Sequence, residues 1–338
     1  MIKKHAIVQS KLYKLYSRAE LSKILGCSTN FITKFNPSRS YYHNRYEDKK
    51  NGKGKREINN PGRSLKTLHR NILGLLRKIE TPEYLMSGIK GVSVKDIANM
   101  HQYCNYMLCL DISDFYRSAR ISYVRKMFLN EFKLAPNLAN FLSLLTTIPS
   151  ESNSTKYIPT GSPISQMLIF WSYKKTFDDI EKEARKRNIK FSLYVDDITF
   201  SSEKQISKSF YLLVIKRLKA VGLNVKDQKT KWYDFTNDKT TVGVKITKNH
   251  IIKVTDKNRH TIISFMKKCG RISTWTLEMM RKCHGMIVSA QQKEPSFMMV
   301  TRKRLNAEIK KHNIIKHQKI RKKRKINMQS KIRKLPKF

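Results

Sequence analysis

The chain has 338 residues and a formal net charge of +45, from 70 lysines and arginines against 25 aspartates and glutamates. Its length suffices for one large or two modest domains, and a hydrophobic fraction of 40% excludes a disordered chain. The charge favours nucleic acid over a small acidic metabolite as the partner, and it is spread too widely for a membrane-bound amphipathic helix.

The sequence also argues against a secreted or membrane protein. Its longest uncharged runs, such as 134–150, are too short and too polar to span a bilayer. The first residues lack the apolar core of a signal peptide. Five scattered cysteines, with no Cys-x-x-Cys pair, argue against a disulfide framework or a zinc site. We therefore expect a cytoplasmic protein with no membrane partner.

The first part of the chain predicts helices around a hairpin. Residues 8–35 have a helical apolar pattern, in which Ser28 is the expected N-cap of a second short helix. A turn rich in glycine and lysine at 48–56 lies between two pieces that we expect to pair as a hairpin. Apolar residues at helical spacing then predict a helix over 64–79.

The rest of the chain alternates strands with helices and then becomes helical. Residues 106–111 are an apolar run that ends on a carboxylate, which is typical of a buried strand. A charged pair within the apolar stretch 191–200 predicts a strand, a tight turn and a second strand. Further helices are expected at 138–145, 161–173, 206–220 and beyond 256, with a hairpin formed by 240–246 and 251–254. This order predicts an α+β fold with one central, mostly antiparallel sheet.

The strongest chemical signal is 194–197 (Tyr-Val-Asp-Asp), which places two carboxylates inside an apolar strand region. Buried carboxylates need a counter-ion, and a divalent cation supplies one. A second acidic strand end, Asp111, is expected to lie beside the first in the sheet. Two aspartates from neighbouring strands, together with substrate phosphates, are able to hold two Mg²⁺ ions for in-line phosphoryl transfer. The competing interpretation is an ordinary turn, since so short a pattern also arises by chance.

Four segments together resemble the reverse transcriptases. Residues 194–197 resemble their catalytic signature, and 110–116 (Leu-Asp-Ile-Ser-Asp-Phe-Tyr) resemble the first motif of their palm domain. Residues 159–165 (Pro-Thr-Gly-Ser-Pro-Ile-Ser) resemble the segment that supports the template and the incoming nucleotide, and 222–230 resemble the motif that follows. This resemblance implies a right-hand polymerase with fingers, a palm made of an antiparallel sheet plus helices, and a helical thumb.

Three further segments resemble bacterial retron-type reverse transcriptases in particular: 98–101 (Ala-Asn-Met-His), 241–243 (Thr-Val-Gly) and 294–297 (Glu-Pro-Ser-Phe). The first two depart from the family pattern, because Ile97 replaces an asparagine and the threonine and valine are exchanged. A related antiphage or abortive-infection reverse transcriptase therefore stays open. A group II intron enzyme fits less well, since no cysteine or histidine array for an endonuclease follows residue 197.

The resemblance implies roles for individual residues. Asp111 and Asp196 would bind the two metal ions, with Asp197 as a weaker ligand. The backbone carbonyl of Ile112 would complete one of the sites. The residues implied for the nucleotide are Arg56 or Lys53 on the triphosphate, Tyr116 as a steric gate against a 2′-OH, Gly161 for close approach to a base pair, Gln166 on the incoming nucleotide and Lys229 beside the departing pyrophosphate. A core aromatic ring or a solvent-exposed charge is the competing interpretation for the tyrosine and the lysines.

Two features are candidates for RNA binding. The resemblance implies an RNA contact for His101, for which a core histidine is the more common alternative. From residue 302 onward the chain is strongly basic, with Glu308 as its one acid. The densest basic run is expected to stay extended until phosphates neutralise it. That run consists of Arg321, Lys322, Lys323, Arg324 and Lys325, and a solubilising tail is the competing interpretation. For the segment from 302 onward, a final thumb helix that buries Leu305, Ile309, Ile314 and Ile315 also stays open.

These observations predict an RNA-directed DNA polymerase. The expected domains are N-terminal helices and fingers at 1–110, a palm at 111–255 with a fingers insertion near 120–158, a helical thumb at 256–301 and a basic C-terminal extension at 302–338. The resemblance implies dNTPs, a structured non-coding RNA template and its DNA product as partners, with an effector or toxin protein as a further candidate in phage defence. Two rival functions stay open: untemplated or protein-primed DNA synthesis, and an RNA-binding scaffold without activity.

Overall fold

A computed structural model describes residues 4–48, 54–152 and 154–313. The helices in this part of the chain are α1 (Arg18–Leu25), α2 (Thr29–Lys34), α3 (Arg63–Leu76), α4 (Val94–His101), α5 (Phe115–Ser118), α6 (Ile121–Asn130), α7 (Pro136–Leu145), α8 (Ser165–Arg185), α9 (Lys208–Ala220), α10 (Asp256–Cys269), α11 (Leu277–Gln291) and α12 (299–313). The strands are β1 (Tyr42–Asp48), β2 (Lys55–Pro61), β3 (Tyr106–Asp111), β4 (Ile148–Pro149), β5 (Lys156–Tyr157), β6 (Lys190–Tyr194), β7 (Asp197–Ser202), β8 (Lys231–Tyr233), β9 (Lys239–Thr241), β10 (Val244–Ile246) and β11 (Ile252–Val254). This mixture of helices with antiparallel strands agrees with the predicted α+β class.

The chain divides into two compact units. The first contains the residues up to 93 together with 103–236, and the second contains 94–102 together with the residues from 237 onward. Each unit has its own cluster of buried hydrophobic side chains. No helix of the described residues combines the length and the apolar composition needed to cross a bilayer.

A four-stranded antiparallel sheet organises the first unit, with the strand order β6-β7-β3-β8. Strand β3 lies inside this order, and its Leu108 and Leu110 side chains are almost completely buried. The structure therefore confirms the strand predicted at 106–111 and the two strands predicted within 191–200. Because β3 pairs with β7, the two acidic strand termini lie side by side at one end of the sheet.

Helix α8 packs in the core of the first unit and is longer than the sequence predicts. Its buried face includes Phe170 and Phe177. The helix begins at Ser165 rather than at Gly161, because Gly161 has a φ of +127°, which no α-helix accommodates. It continues to Arg185, well past the predicted end at 173.

The N-terminal region contains the predicted hairpin and two short helices. Strands β1 and β2 pair in antiparallel register from Tyr42 opposite Pro61 to Asp48 opposite Lys55. The predicted helical stretch 8–35 is too long, because the Ser17 side chain caps α1 and thereby fixes the start of that helix. The predicted N-cap of α2 is confirmed, since the Ser28 hydroxyl accepts a hydrogen bond from the backbone N–H of Phe31.

The second unit contains a three-stranded antiparallel sheet, β9-β10-β11, where the sequence predicts a single hairpin. The additional turn is formed by Val242 and Gly243. Both residues have positive φ values, +46° and +72°, as a two-residue hairpin turn of the mirror-image type requires. Valine rarely adopts this backbone conformation, which explains why sequence patterns alone give no sign of the turn.

The segment 294–297, which resembles a retron thumb segment, holds the second unit together. The Glu294 carboxylate accepts hydrogen bonds of 2.9 Å from the backbone N–H of Val254 and from the Arg259 guanidinium. That guanidinium lies 4.8 Å from the centroid of the Phe297 ring. The Gln291 side chain donates a 2.8 Å hydrogen bond to the Phe297 carbonyl oxygen. These contacts tie β11 and α10 to the end of α11.

Helix α12 extends the second unit beyond residue 301, the predicted end of the thumb. Leu305 is 0% exposed and belongs to the same hydrophobic cluster as Trp275 and Phe297. Ile309 packs against this cluster. The predicted boundary between the thumb and the basic extension therefore falls inside a packed helix.

We predict that Leu305→Ala lowers the free energy of unfolding by about 2–5 kcal/mol, because it leaves a cavity in a closed core. Val300 is 82% exposed and provides the matched control. Val300→Ala is expected to change stability by less than about 0.5 kcal/mol. Urea unfolding of both variants measures the difference, and equal effects would contradict the assignment of α12 to this core.

Candidate active site

The pairing of β3 with β7 assembles three aspartates at one end of the sheet. Asp111, the last residue of β3, lies directly opposite Asp197, the first residue of β7. Residues that face each other across an antiparallel pair project their side chains to the same side of the sheet. The backbone N–H of Ile112 donates a 2.9 Å hydrogen bond to the carbonyl oxygen of Asp196. The predicted juxtaposition of the two acidic strand ends is therefore present.

A tight turn presents Asp196 and is strained at the residue before it. Tyr194 and Asp197 are paired, so Val195 and Asp196 form a two-residue turn between β6 and β7. Val195 has a φ of +56°, a left-handed conformation that is rare for a β-branched residue. Strained backbone of this kind is concentrated at functional sites, where the surrounding structure holds it in place.

The carboxylates of the turn are held in an environment that opposes their charge. Burial and then the neighbouring charges of Asp196 and Asp111 raise the pKa of Asp197 to about 6. Burial is also the main cause that raises the pKa of Asp196, with Asp111 as a further cause. The nearby charges of Lys226, Lys229 and Arg56 lower these pKa values without outweighing burial, and a divalent cation would supply further positive charge. The donor chemistry of the three aspartates therefore fits such a cation.

Two lysines form ion pairs with the Asp111 carboxylate. Lys226 Nζ lies 2.8 Å from Asp111 Oδ1, and Lys229 Nζ lies 2.7 Å from Asp111 Oδ2. The short 3-10 turn Asp227–Lys229 brings these two side chains to the same carboxylate. Sequence reasoning identifies Lys229 and misses Lys226, although the Lys-x-x-Lys spacing at a turn is a usable signal. The role of Lys229 beside the pyrophosphate stays a prediction.

Protein side chains alone do not complete a metal cage in the described residues. Within 4–48, 54–152 and 154–313, no group of three or more histidine, cysteine, aspartate or glutamate side chains is arranged to hold an ion. Mg²⁺ is usually bound by one or two carboxylates together with water and substrate phosphates, rather than by a cage of protein ligands. Two carboxylates such as Asp111 and Asp196 are compatible with this kind of binding, in which a nucleotide supplies the remaining oxygens.

The structure brings three of the predicted nucleotide-binding residues into one region beside the aspartates. Tyr116 on α5 is half-buried, and burial is the main cause that raises its pKa to about 12, followed by the charge of Asp196. The Gln166 side chain is hydrogen-bonded to the Tyr116 hydroxyl. Arg56 on β2 is exposed, and its positive charge lowers the pKa of both Tyr116 and Asp196. This region thus combines an aromatic wall, an amide and a guanidinium.

Gly161 packs against β2 as closely as a residue without a side chain permits. A Cβ atom at this position would lie 2.9 Å from Ile58 Cγ2 and 3.2 Å from the Asn59 carbonyl oxygen. The Asn59 backbone N–H donates a 3.1 Å hydrogen bond to the carbonyl oxygen of Thr160. The close backbone approach that the sequence predicts at Gly161 is therefore made to the hairpin. Its predicted approach to a base pair stays a prediction.

A buried histidine that sequence reasoning misses supports the same loop. The two ring nitrogens of His69 lie 2.6 Å from Ser162 Oγ and 2.8 Å from the Leu145 carbonyl oxygen. Burial lowers the pKa of His69 to about 4. The neutral ring therefore connects α3 and α7 to the loop that precedes α8. Its position on an apolar helix face resembles that of any core residue, so the sequence contains no distinguishing signal.

The remaining predicted site residues lie elsewhere. His101 is 0% exposed in the second unit, where its ring does not reach the protein surface. This burial agrees with the core histidine that is the more common alternative, and the RNA contact stays a prediction. Lys53 and the basic run of Arg321, Lys322, Lys323, Arg324 and Lys325 lie outside the described residues.

Paired aspartates at a sheet end, beside basic and aromatic side chains, are typical of enzymes that transfer nucleotides with divalent metal ions. Residues 48–246 match the family described as reverse transcriptase (RNA-dependent DNA polymerase). The chain therefore belongs to the reverse transcriptase family, and it is an RNA-directed DNA polymerase.

Two curated relatives make the similarity more specific. The chain is 27% identical over 263 residues to the Retron Se72 reverse transcriptase of Salmonella heidelberg (strain 579083-10). The aligned region covers 74% of this chain and 68% of the relative. The chain is 21% identical over 255 residues to the Retron Ec83 reverse transcriptase of Escherichia coli, which covers 72% of this chain and 81% of that relative. These similarities support the retron type that the sequence motifs indicate.

We predict that Gly161→Ala destabilises the protein by more than about 1 kcal/mol, since a Cβ at φ +127° would press on the β2 backbone. Gly74, in the middle of α3, has open space around the position of a Cβ and serves as the control. Gly74→Ala is expected to stabilise the protein by about 0.4–1 kcal/mol. Thermal unfolding compares the stability of the two variants. A Gly161→Ala variant as stable as the unmodified protein would show that the loop accommodates a Cβ atom and would contradict the prediction.

Proposed function

We propose that this protein copies a structured non-coding RNA into DNA with two Mg²⁺ ions, in a retron that acts in phage defence. The observation that carries the proposal is the meeting of Asp111, Asp196 and Asp197 at the end of β3 and β7. We assign the sheet that holds them to the palm, the β1–β2 hairpin to the fingers and the helical part of the second unit to the thumb.

The residues of the chain have distinct tasks in this proposal. Asp111 and Asp196 would hold the metal ions, with Asp197 and the Ile112 carbonyl as supplementary ligands. Held by these residues, metal ions would supply activation of a primer 3′-OH and neutralisation of charge on the phosphates. The exposed Arg56 guanidinium binds the triphosphate, for which its planar donors are suited. Lys229 is close enough to the carboxylates to meet the departing pyrophosphate.

The RNA partner is proposed on charge and on similarity. The net charge of +45 requires a polyanion, and the two relatives are named as retron reverse transcriptases. The strongly basic residues beyond the described part of the chain, including 321–325, would contact RNA phosphates. An effector or toxin protein is a further proposed partner. A cytoplasmic location agrees with the five free cysteines.

We predict that Asp196→Asn combined with Asp197→Asn abolishes dNTP incorporation and leaves RNA binding nearly unchanged. The substitutions remove the proposed metal ligands and alter the large positive charge only slightly. Asp179→Asn is the control, because Asp179 is about half exposed on α8 and its contact with Arg217 is long, at 3.7 Å. Primer extension and filter binding measure the two effects. A folded double variant that loses incorporation and RNA binding together would contradict the metal-site assignment.

We predict that Tyr116→Ala lowers the preference for dNTPs over rNTPs by about ten-fold or more, because the ring no longer fills the space that a 2′-OH requires. Tyr116→Phe retains the ring and is expected to retain the preference. Single-nucleotide incorporation with matched dNTP and rNTP gives both values of kcat/KM. An active Tyr116→Ala enzyme with the original preference would exclude Tyr116 as the gate.

A further inference from the structure

The carboxylate of Glu57 joins three separate segments of the first unit. Its side chain is only 2% exposed, although carboxylates are rarely buried without partners. Arg39 Nη2 forms an ion pair with Glu57 Oε1, and Arg117 Nη2 lies 2.7 Å from Glu57 Oε2. The Tyr157 hydroxyl donates a 3.2 Å hydrogen bond to the same Oε2 atom. The contacts come from the loop before β1, from α5 and from β5.

The partners of Glu57 are themselves held in place. Arg39 Nη1 donates a 2.8 Å hydrogen bond to the Pro149 carbonyl oxygen, and Arg39 Nη2 also lies 2.7 Å from Glu151 Oε1. The Arg117 guanidinium lies 5.8 Å from the centroid of the Tyr157 ring. Hydrogen bonds from Arg117 and Arg39 keep the pKa of Glu57 below its ordinary value, although burial opposes them. Glu57 is therefore ionised and bound on both oxygens.

Each end of the Glu57–Arg117 pair is adjacent in sequence to a proposed nucleotide-binding residue. Glu57 follows Arg56 on β2, and Arg117 follows Tyr116 on α5. Successive residues of a strand point to opposite faces, which is why Glu57 is buried while Arg56 is exposed. The ion pair thus fixes the backbone of the hairpin relative to the backbone of α5, one residue away from both proposed contacts.

We propose that Glu57 and Arg117 are positioning residues of the nucleotide pocket, whose ion pair sets the separation between Arg56 and Tyr116. This inference rests on the proposed function of Arg56 and Tyr116. An incoming dNTP would meet its triphosphate partner and its sugar gate at a fixed spacing only while the pair is intact. Loss of the pair would loosen substrate binding and sugar selection while the aspartates keep their geometry.

Arg117→Gln is the first test, because the Arg117 side chain is 55% exposed and Glu57 retains Arg39 as a partner. We expect the KM for dNTP to rise, and the preference for dNTPs over rNTPs to fall, on the order of ten-fold, the usual effect of losing a charged hydrogen bond. The kcat at saturating dNTP should stay nearly constant. Arg117→Lys keeps the charge but not the fork of donors, and an intermediate effect is expected.

Glu57→Gln provides an independent test of the same pair. A double-mutant cycle then combines Glu57→Gln with Arg117→Gln. If the two residues act as a pair, the KM for dNTP of the double variant should rise no further than that of the more affected single variant. Glu181→Gln is the matched control, since it removes a carboxylate from an ion pair with Arg185 on the surface of α8. Its kinetic constants should equal those of the unmodified protein.

The outcomes separate this inference from the proposed function. A folded Arg117→Gln variant with unchanged KM and unchanged sugar preference would overturn the positioning role, and so would a fall in kcat alone. Absence of dNTP incorporation by the unmodified protein would instead overturn the proposed function, and the inference with it. A variant with raised KM, reduced preference and an unaltered melting temperature supports the positioning role.

Discussion

The pairing of β3 with β7 is the interaction on which the proposed catalytic region depends. It sets Asp111 opposite Asp197, while the hydrogen bond from the Ile112 N–H holds the Asp196 turn against the same strand. Burial and mutual repulsion raise the pKa of both turn carboxylates, so this arrangement is unfavourable by itself. The apolar core of the sheet stabilises the geometry, and the carboxylates remain available for cations.

Two acidic residues of the first unit share a pattern of contacts. Asp111 lies between Lys226 and Lys229, and Glu57 lies between Arg39 and Arg117. A carboxylate that is largely shielded from solvent and has two cationic partners connects segments that are distant in sequence. In one case the connection joins the sheet to the turn after α9, and in the other it joins the hairpin to α5. Both lie beside the proposed nucleotide pocket.

The sequence predicts the site of the three aspartates because these carboxylates stand at the ends of apolar runs that are typical of buried strands. The hairpin at β1–β2 and the strands at 106–111 and 191–200 are predictable for the same reason, since local turn chemistry and apolar runs determine them. Leu305 shows the limit of this reasoning: the sequence leaves both a basic tail and a final thumb helix open, and only tertiary packing shows that this side chain is buried.

The residues that sequence reasoning misses depend on long-range contacts. Lys226 reaches Asp111 across 115 positions of the chain, and Arg117 reaches Glu57 across 60. For His101 the motif suggests an RNA contact, the general behaviour of histidines suggests a core position, and the fold buries the ring. Family resemblance indicates the proposed catalytic centre, and the packing around it decides which neighbouring side chains are accessible.

The measurement that tests the central claim most directly is an anomalous diffraction map of the protein crystallised with Mn²⁺, a primer-template and a non-hydrolysable dNTP. The account predicts strong peaks within coordination distance of the Asp111 and Asp196 carboxylates, with nucleotide phosphate oxygens completing the ligand sets. Mn²⁺ bound only elsewhere, with the nucleotide in place and these carboxylates without a peak, would contradict it.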